Sequence, residues 1–184
     1  MSPEGQSGKG VPSQPSTLLE RFSDFLPHSG LALDVACGNG RNALFLAGRG
    51  LSVVGIDRSW KAVAAGREDA LRSNLKASFV QADLTRFALP ENVFSVVICF
   101  KYRDPRLYPS LRAALRPGGL LIYETYTREH AISGLKPQNP AHLLERSELL
   151  QAFGNWEIIF YREVWRERGT ASLVARKPFF TREC

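Results

Sequence analysis

The chain alternates short apolar runs with longer segments of helical periodicity. The apolar runs are 31–35, 52–56, 77–81, 94–100 and 120–124, and the helical segments are 41–49, 59–73 and 105–115. Continuous apolar runs such as 94–100 are typical of strands that are covered on both faces. Strands that alternate with helices through short links indicate right-handed crossovers in a parallel sheet. The pattern therefore predicts an α/β fold, a doubly wound, mostly parallel sheet with helices on both faces.

The two ends of the chain have different patterns. Residues 1–15 are rich in Gly, Ser, Pro and Gln, so we predict a disordered tail there, then a single domain over 16–178 and a flexible C-terminus over 179–184. Thr17 and Glu20 have the spacing of a capping box, which predicts that the first helix starts at Thr17. After a helix at 146–152, the segments 156–165 and 170–176 predict a hairpin added at the edge of the sheet.

Composition narrows the class of protein. A chain of 184 residues with 44% hydrophobic residues is long enough for one well-buried core. No run approaches the roughly 20 apolar residues of a membrane span and no signal peptide is evident, so we expect a cytoplasmic protein. The three cysteines Cys37, Cys99 and Cys184 are far apart and have no CxxC spacing, which favours neither disulfides nor a metal site.

The net charge of +6 leaves two interpretations open. A solvated basic surface is the first, because net charge bears on solubility before it bears on partners. A site for nucleic acid is the second, since basic surfaces bind phosphate by releasing counterions. Because the basic residues are spread along the chain, the first interpretation is favoured.

A glycine-containing loop between the first strand and the next helix predicts a nucleotide-cofactor site. It contains Asp34, Gly38 and Gly40, and acids follow the next two strands at Asp57 and Asp83. Glycines allow a ligand to approach the main chain, and parallel strands place their carboxyl ends together. The glycine spacing alone also fits NAD. A carboxylate at Asp34 opposes a pyrophosphate but suits the ammonium and sulfonium of S-adenosylmethionine, which favours the latter cofactor.

With these motifs and the turn Arg116-Pro117-Gly118-Gly119, the chain resembles class I S-adenosylmethionine-dependent methyltransferases from about Leu31 to Lys177. The resemblance implies a Rossmann-like seven-stranded sheet with one antiparallel strand in the C-terminal hairpin. The segments 34–42 and 137–145 are similar to small bacterial methyltransferases of the tellurite-resistance-like type. An Asn-Pro-Pro-Tyr type of motif is absent after the fourth strand, where 101–105 reads Lys-Tyr-Arg-Asp-Pro, which disfavours methylation of bases or amides.

The resemblance also implies which residues hold the cofactor. The methionine part would lie against Asp34, Ala36, Gly38 and Gly40, the ribose and adenine against Asp57, Arg58, Asp83 and Leu84, and Phe100 would close over the cofactor. The remaining members of the predicted set are Cys37, Arg41, Asn42 and Ala82.

Several members of this set have structural alternatives. Asp57 and Asp83 could be turn acids, Cys37 a small loop filler, and Arg41 and Asn42 helix-capping residues that face water. A further residue, Trp60, could be a packing residue or a cover for the adenine.

The acceptor site is less defined. Residues 125–144 lack clear periodicity, and we interpret them as a lid, because long loops in compact domains are often functional. The candidate catalytic residues are Tyr102, Glu124, Tyr126 and His142, with His130 as a further polar group. We predict direct displacement onto a small-molecule acceptor such as a thiol, a metalloid or another small metabolite, in a monomer or homodimer. RNA or protein methylation, NAD-dependent oxidoreduction and non-catalytic cofactor binding are the alternatives.

Overall fold

The computed structural model describes residues 14–132, 134, 136–166 and 168–179. The predicted disordered tail lies outside the described residues except for residues 14 and 15, and the predicted flexible C-terminus lies outside them except for residue 179. Its strands are β1 (Leu31–Val35), β2 (Ser52–Asp57), β3 (Ala77–Gln81), β4 (Phe94–Phe100), β5 (Leu115–Tyr126), β6 (Glu157–Val164) and β7 (Thr170–Arg176). Its α-helices are α1 (Thr17–Arg21), α2 (Arg41–Gly48), α3 (Trp60–Arg72), α4 (Tyr108–Ala114), α5 (Glu129–Ile132) and α6 (Glu148–Phe153).

The seven strands form one sheet in the order β3-β2-β1-β4-β5-β7-β6. Strands β1 to β5 pair in parallel, and β7 is antiparallel to both β5 and β6. One face packs against α1, α2 and α3, and the other against α4 and α6. The predicted Rossmann-like sheet, its C-terminal hairpin and the helices on both faces are confirmed.

Strand β4 is the centre of the molecule. All seven of its residues are buried, and it pairs with β1 on one side and β5 on the other. Its alternate side chains enter the cores on the two faces: Val97 and Cys99 in one, Ile98 and Phe100 in the other. This double burial explains why its sequence is apolar throughout.

The start of the domain differs from the predicted capping box. The N-cap of α1 is Ser16 and no side chain caps this helix, so the prediction of Thr17 and Glu20 as a capping box is wrong. Helix α1 ends at Arg21, and a short 3₁₀ helix at Ser23–Phe25 follows. The apolar residues of α1 fix its position, because Leu18 and Leu19 are buried in the core beside α2.

Strand β5 is longer than the predicted 120–124 because it includes the Pro-Gly-Gly turn. The pairing with β4 shifts from Phe94 opposite Leu115 to Val96 opposite Leu120, so a bulge absorbs the turn and the strand continues through it. The bulge lies near the amino-terminal ends of β4 and β5.

The segment 125–144 also contains more structure than predicted. It begins inside β5, includes α5 and a 3₁₀ turn at Pro140–His142, and ends on a bridge between Thr127 and Leu144. Both ends are therefore fixed to the sheet, and the role of the segment as a lid stays a prediction. Among the described residues, no helix is long and apolar enough to cross a bilayer.

Candidate functional site

A cavity of about 260 Å³ opens at the carboxyl ends of β1 and β4. These two strands are neighbours, and the strand order reverses between them. Open α/β sheets bind their ligands at this topological switch point. The residues that line the cavity are Asp34, Ala36, Cys37, Gly38, Asn39, Arg41, Asn42, Phe100 and Lys101. Seven of the predicted cofactor residues are thus brought together here, while Asn39 and Lys101 were not predicted.

Asp34 is the unusual group of this cavity. Asp34 is 1% exposed, and Oδ2 of its carboxyl group has no hydrogen-bond partner among the described residues. Burial raises the pKa of Asp34 to about 8, which the backbone N–H of Ala43 offsets only in part. An unpaired buried polar atom costs roughly 1–3 kcal/mol, so such atoms in native proteins usually have a functional explanation. A ligand group with a proton to donate or a positive charge would satisfy this oxygen.

Gly38 shapes the wall beside this carboxyl group. Its φ is 56°, and a Cβ added to it would have no protein atom within 4 Å. Its N–H donates to Oδ2 of Asp57 over 2.8 Å, which ties the loop after β1 to the end of β2. A positive φ favours glycine, and the open space beside it belongs to the cavity.

Gly40 has a different role from the predicted one. It does not line the cavity, and a Cβ added to it would lie 2.2 Å from the ring of Phe79. Gly55 and Gly66 surround the same ring at similarly short distances. The three glycines make room for a buried phenylalanine of β3, so packing of the loop and α3 on the sheet explains Gly40 without a ligand.

The acids after β2 and β3 both accept hydrogen bonds within local turns. Oδ1 of Asp57 accepts from the N–H of Ser59 at 2.9 Å, and Oδ1 of Asp83 accepts from the N–H and hydroxyl of Thr85 at 2.9 and 2.8 Å. The hydroxyl bond of Thr85 is the main reason that the pKa of Asp83 lies below its usual value. Asp83 is exposed and does not line the cavity, so it is an ionised acceptor at the same edge of the sheet. A turn role and a ligand role are compatible, since each carboxylate has free lone pairs.

The other predicted residues of this edge are less involved. Leu84 is buried in the core, Ala82 is half-buried, and the carbonyl of Arg58 accepts a hydrogen bond from Gln81 at 3.3 Å. None of the three lines the cavity. Trp60 is 57% exposed and its ring lies under the guanidinium of Arg67, so it packs against its own helix and not in the core.

Arg41 and Asn42 do not simply face water. Oδ1 of the buried Asn42 accepts from the N–H of Ser16 at 2.8 Å. The Arg41 guanidinium donates to the carbonyl of Gln14 at 3.3 Å and to Oγ of Ser16 at 3.2 Å. The segment before α1 is therefore fastened to two residues of the cavity wall.

Cys37 fits the interpretation as a loop filler. Its thiol contacts the carbonyl of Gly38 at 3.5 Å, and burial raises its pKa well above the ordinary value. The thiol is protonated at neutral pH, and a nucleophilic cysteine requires the thiolate.

The four predicted catalytic residues fall into two groups. Glu124 and Tyr126 lie on β5 with their side chains on the same face as Phe100, and Glu124 pairs with Phe100 across β4 and β5. Tyr102 packs against the core of the opposite face, and His142 is exposed on the turn Pro140–His142. The structure therefore brings Glu124 next to the cavity, and does not place His142 there.

The partners of Glu124 and Tyr126 were not predicted. Oε2 of Glu124 accepts from the hydroxyl of Ser172 at 2.6 Å. The ring of Tyr126 stacks on the buried imidazole of His130 at 4.0 Å between centroids, and Nε2 of His130 lies 2.9 Å from the carbonyl of Lys136. No sequence signal links residues 48 positions apart such as Glu124 and Ser172; only the pairing of β5 with β7 does.

A buried ion pair was also missed. Glu148 of α6 accepts two short bonds from Arg103 at 2.8 Å and one from the hydroxyl of Tyr108 at 2.6 Å. Arg103 also donates to the carbonyl of Ala141 at 2.9 Å. This cluster fastens the end of segment 125–144 to the residues that follow β4.

Known proteins with similar sequences include methyltransferases. Residues 32–119 match the family described as the methyltransferase domain. Hemagglutinin 1 of Eikenella corrodens is 31% identical over 144 residues, which are 71% of this chain and 45% of that protein. The probable S-adenosyl-L-methionine-dependent methyltransferase TehB of Haemophilus influenzae is 27% identical over 138 residues, which are 71% of this chain and 47% of that protein. The chain thus spans less than half the length of these curated relatives.

Solved structures show the same fold. The crystal structure of TehB from Haemophilus influenzae has a TM-score of 0.76 at 19% identity, and the match covers 92% of this chain and 64% of that chain. A methyltransferase from Methanosarcina mazei has a TM-score of 0.70 at 20% identity, with 87% and 98% coverage.

Residues 32–119 match the methyltransferase domain, and the order of the strands and the cavity at the switch point agree with a class I S-adenosylmethionine-dependent methyltransferase. Among named proteins, the chain resembles TehB in both sequence and structure. The residues present fit the cofactor of this family, because a buried acceptor atom without a partner at Asp34 and an open position beside Gly38 face the same cavity.

Proposed function

We propose that this protein transfers a methyl group from S-adenosylmethionine to a small-molecule acceptor by direct displacement. The observation that carries the proposal is the unpaired carboxyl oxygen of Asp34 at the switch point of the sheet. A dinucleotide would bring a pyrophosphate to this carboxyl group, whereas the methyl donor brings positive charge.

We assign the binding roles from the positions of the residues along the carboxyl edge of the sheet. Asp34 and the open wall at Gly38 hold the methionine part, Asp57 takes the ribose hydroxyls, and Asp83 accepts from the adenine amino group. When bound, S-adenosylmethionine supplies a methyl group on a sulfonium, which an acceptor atom takes to leave S-adenosylhomocysteine. The buried side chain of Phe100 excludes water from the side of the cavity next to β5, which supports positioning as the main contribution to the rate.

Glu124 is the candidate general base for an acceptor that must lose a proton. Its carboxylate is held by Ser172 beside Phe100, and it can take the proton as the acceptor atom bonds to the methyl carbon. Burial raises the pKa of Tyr102, so its phenol stays protonated at neutral pH and can donate a hydrogen bond but not accept the proton. An acceptor that is already ionised, such as a thiolate or a metalloid oxyanion, needs no base.

Calorimetry tests the cofactor site. Wild-type protein is expected to bind S-adenosylhomocysteine, and Asp57→Ala to bind it at least about tenfold more weakly, since the substitution removes an acceptor from the ribose and from the Gly38 N–H. Asp69→Ala is the matched control, because Asp69 pairs with Arg72 on the surface of α3. Equal affinity of the two variants would refute the ribose assignment, and no affinity in the wild type would refute the function.

Transfer from methyl-tritiated S-adenosylmethionine into a cell extract, fractionated by size, tests the acceptor. Label among small molecules supports the proposal. Label in RNA, with strong dependence on salt, would instead support use of the basic surface, and label in protein would indicate a macromolecular acceptor. The cytoplasmic location and the monomeric or homodimeric state stay predictions.

A further inference from the structure

A row of four paired residues, one aromatic and three polar, leads away from the cofactor cavity along the carboxyl edge of the sheet. Phe100 of β4 pairs with Glu124 of β5, Glu124 with Ser172 of β7, and Ser172 with Arg162 of β6. Directly paired residues of neighbouring strands share a face, and the Glu124–Ser172 hydrogen bond confirms the common direction. We call these four residues the edge row.

The edge row starts at the cofactor cavity and ends in solvent. Phe100 lines the cavity and is buried, Ser172 is buried, and Arg162 is exposed. Neighbouring strands lie about 4.8 Å apart, so about 10 Å separates the backbone of Glu124 from that of Arg162. The row thus has a carboxylate next to the cofactor and a guanidinium at its far end.

Helix α1 borders the same face. Its N-terminal side is tied to Asn42 at the cavity, and at its C-terminal end the Arg21 guanidinium lies 4.8 Å from the ring centroid of Phe160. Phe160 stands two residues before Arg162 on β6 and on the same face, because it pairs with Val174 as Arg162 pairs with Ser172. The Arg21 guanidinium therefore lies on the face of β6 that carries Arg162, against the residue two positions before it.

Neither guanidinium has a carboxylate partner. Among the described residues, the side chain of Arg162 makes no hydrogen bond or ion pair, and the guanidinium of Arg21 contacts the rings of Phe22 and Phe160. Guanidinium groups bind carboxylates and phosphates through paired N–H donors. The negative charge of Glu124 disfavours a second anion at the cavity end, so only the far end suits one.

We propose that the edge row binds the methyl acceptor, and that this acceptor is a small organic molecule with a carboxylate or phosphate held by Arg162 and Arg21. Its nucleophilic atom then lies at Glu124, within about 10 Å of the anionic group, beside the wall that Phe100 gives to the cofactor cavity. The proposal rests on the proposed function and deepens it. Ser172 is a positioning residue in this site, since it holds the carboxylate of Glu124.

The test uses the full chain with methyl-tritiated S-adenosylmethionine and a small-molecule cell extract. Labelled products are separated on a strong anion exchanger, where products with a carboxylate or phosphate are retained. We expect retained label with the wild type, and about tenfold less with Arg162→Gln or Arg21→Gln, because a charged hydrogen-bonded contact is lost. Alkaline phosphatase treatment of the retained fraction distinguishes the two anions, since only phosphate esters then lose retention.

Arg116→Gln is the matched control. Arg116 is exposed at the opposite, amino-terminal end of β5 and carries the same charge, so its loss should leave the labelling unchanged. A binding measurement avoids dependence on turnover: protein saturated with S-adenosylhomocysteine is incubated with the extract, filtered, and its retained anions identified by mass spectrometry. The wild type and Arg116→Gln should enrich the same anions, and Arg162→Gln should not.

The proposal fails if the labelled product is neutral or cationic, if no anionic product forms, or if Arg162→Gln labels as well as Arg116→Gln. Each of these results leaves calorimetric binding of S-adenosylhomocysteine untouched. Absence of that binding in the wild type would instead refute the proposed function, so the two failures are distinguishable. Ser172→Ala tests whether Ser172 positions Glu124. A lower kcat, a pH profile of kcat displaced to higher pH and an unchanged KM would support this role, and an unchanged pH profile would refute it.

Discussion

Replacing Gly38 by alanine should weaken cofactor binding and leave the fold almost intact. The added Cβ meets no protein atom within 4 Å, so the core is not disturbed. The remaining cost is that of a left-handed backbone at a φ of 56°, about 1 kcal/mol for a residue with a side chain. For a chain of this length that lowers Tm by about 2–4 °C.

The effect on binding should be larger. Gly38 lines the cavity, so the new methyl group takes space that the cofactor requires. Forcing one extra methyl group into a close-packed contact costs roughly 1–3 kcal/mol, which corresponds to about a 5- to 150-fold loss of affinity for S-adenosylhomocysteine.

Gly40→Ala is the matched control, because the same change has the opposite result. A Cβ there lies 2.2 Å from the ring of Phe79, which is buried. Overpacking adds about 1–3 kcal/mol to the backbone cost at a φ of 80°, so this variant should lose much more stability than Gly38→Ala.

Thermal unfolding and calorimetry on the two variants test whether Gly38 serves cofactor binding and Gly40 serves packing. The expected result is a small Tm change with weak binding for Gly38→Ala, and a large Tm change for Gly40→Ala. Wild-type affinity in a folded Gly38→Ala protein would refute the assignment of the cavity to the cofactor.

Two further predictions concern buried charges. Since burial raises the pKa of Asp34 from 3.8 to about 8, the folded protein keeps a proton that the unfolded chain loses, and this contribution to stability disappears as pH rises through that window. Without cofactor, the free energy of unfolding of the wild type should fall by up to about 1.4 kcal/mol per pH unit relative to Asp34→Asn, and equal pH profiles would contradict this. Binding of S-adenosylhomocysteine at pH 7 should release about one proton from the wild type and none from Asp34→Asn, as measured by calorimetry in buffers of different ionisation enthalpy. Arg103→Gln should cost about 3 kcal/mol in urea unfolding and speed proteolysis near Ala141, because it leaves Glu148 buried without its partner. Arg106→Gln is the control, because Arg106 is 76% exposed in its pair with Asp104, and it should lower the free energy of unfolding by less than about 1 kcal/mol. Equal losses of stability in the two variants would show that burial of the ion pair is not the cause.

Much of the fold could be predicted because local patterns determine it. The apolar run of β4 and the strand-helix alternation each depend on neighbouring residues, and they place the ends of β1 and β4 at one edge. Asp34 could be singled out for the same reason, since its position before the glycines fixes it at the end of a buried strand.

What could not be predicted depends on contacts between distant segments. The packing role of Gly40 requires knowing that Phe79 lies beneath it, 39 positions later. The Glu124–Ser172 bond depends on β7 lying between β5 and β6, and the pattern of a hairpin does not state which of its strands pairs with the sheet. The extension of β5 through Pro-Gly-Gly was missed because those residues ordinarily end strands, and here a bulge accommodates them.

The attachment of the segment before α1 has a consequence for how the two halves of the site depend on each other. Asn42 lines the cofactor cavity and also accepts the hydrogen bond from Ser16 that starts α1. Arg41 also lines the cavity, and its guanidinium donates hydrogen bonds to the carbonyl of Gln14 and to Oγ of Ser16. A ligand that changes the position of either side chain must therefore change the stability of that attachment, and by linkage the attachment changes the ligand's affinity by the same factor. Because α1 also borders the edge row, we expect binding of the cofactor and of the proposed acceptor to be coupled through this short helix as well as through Phe100.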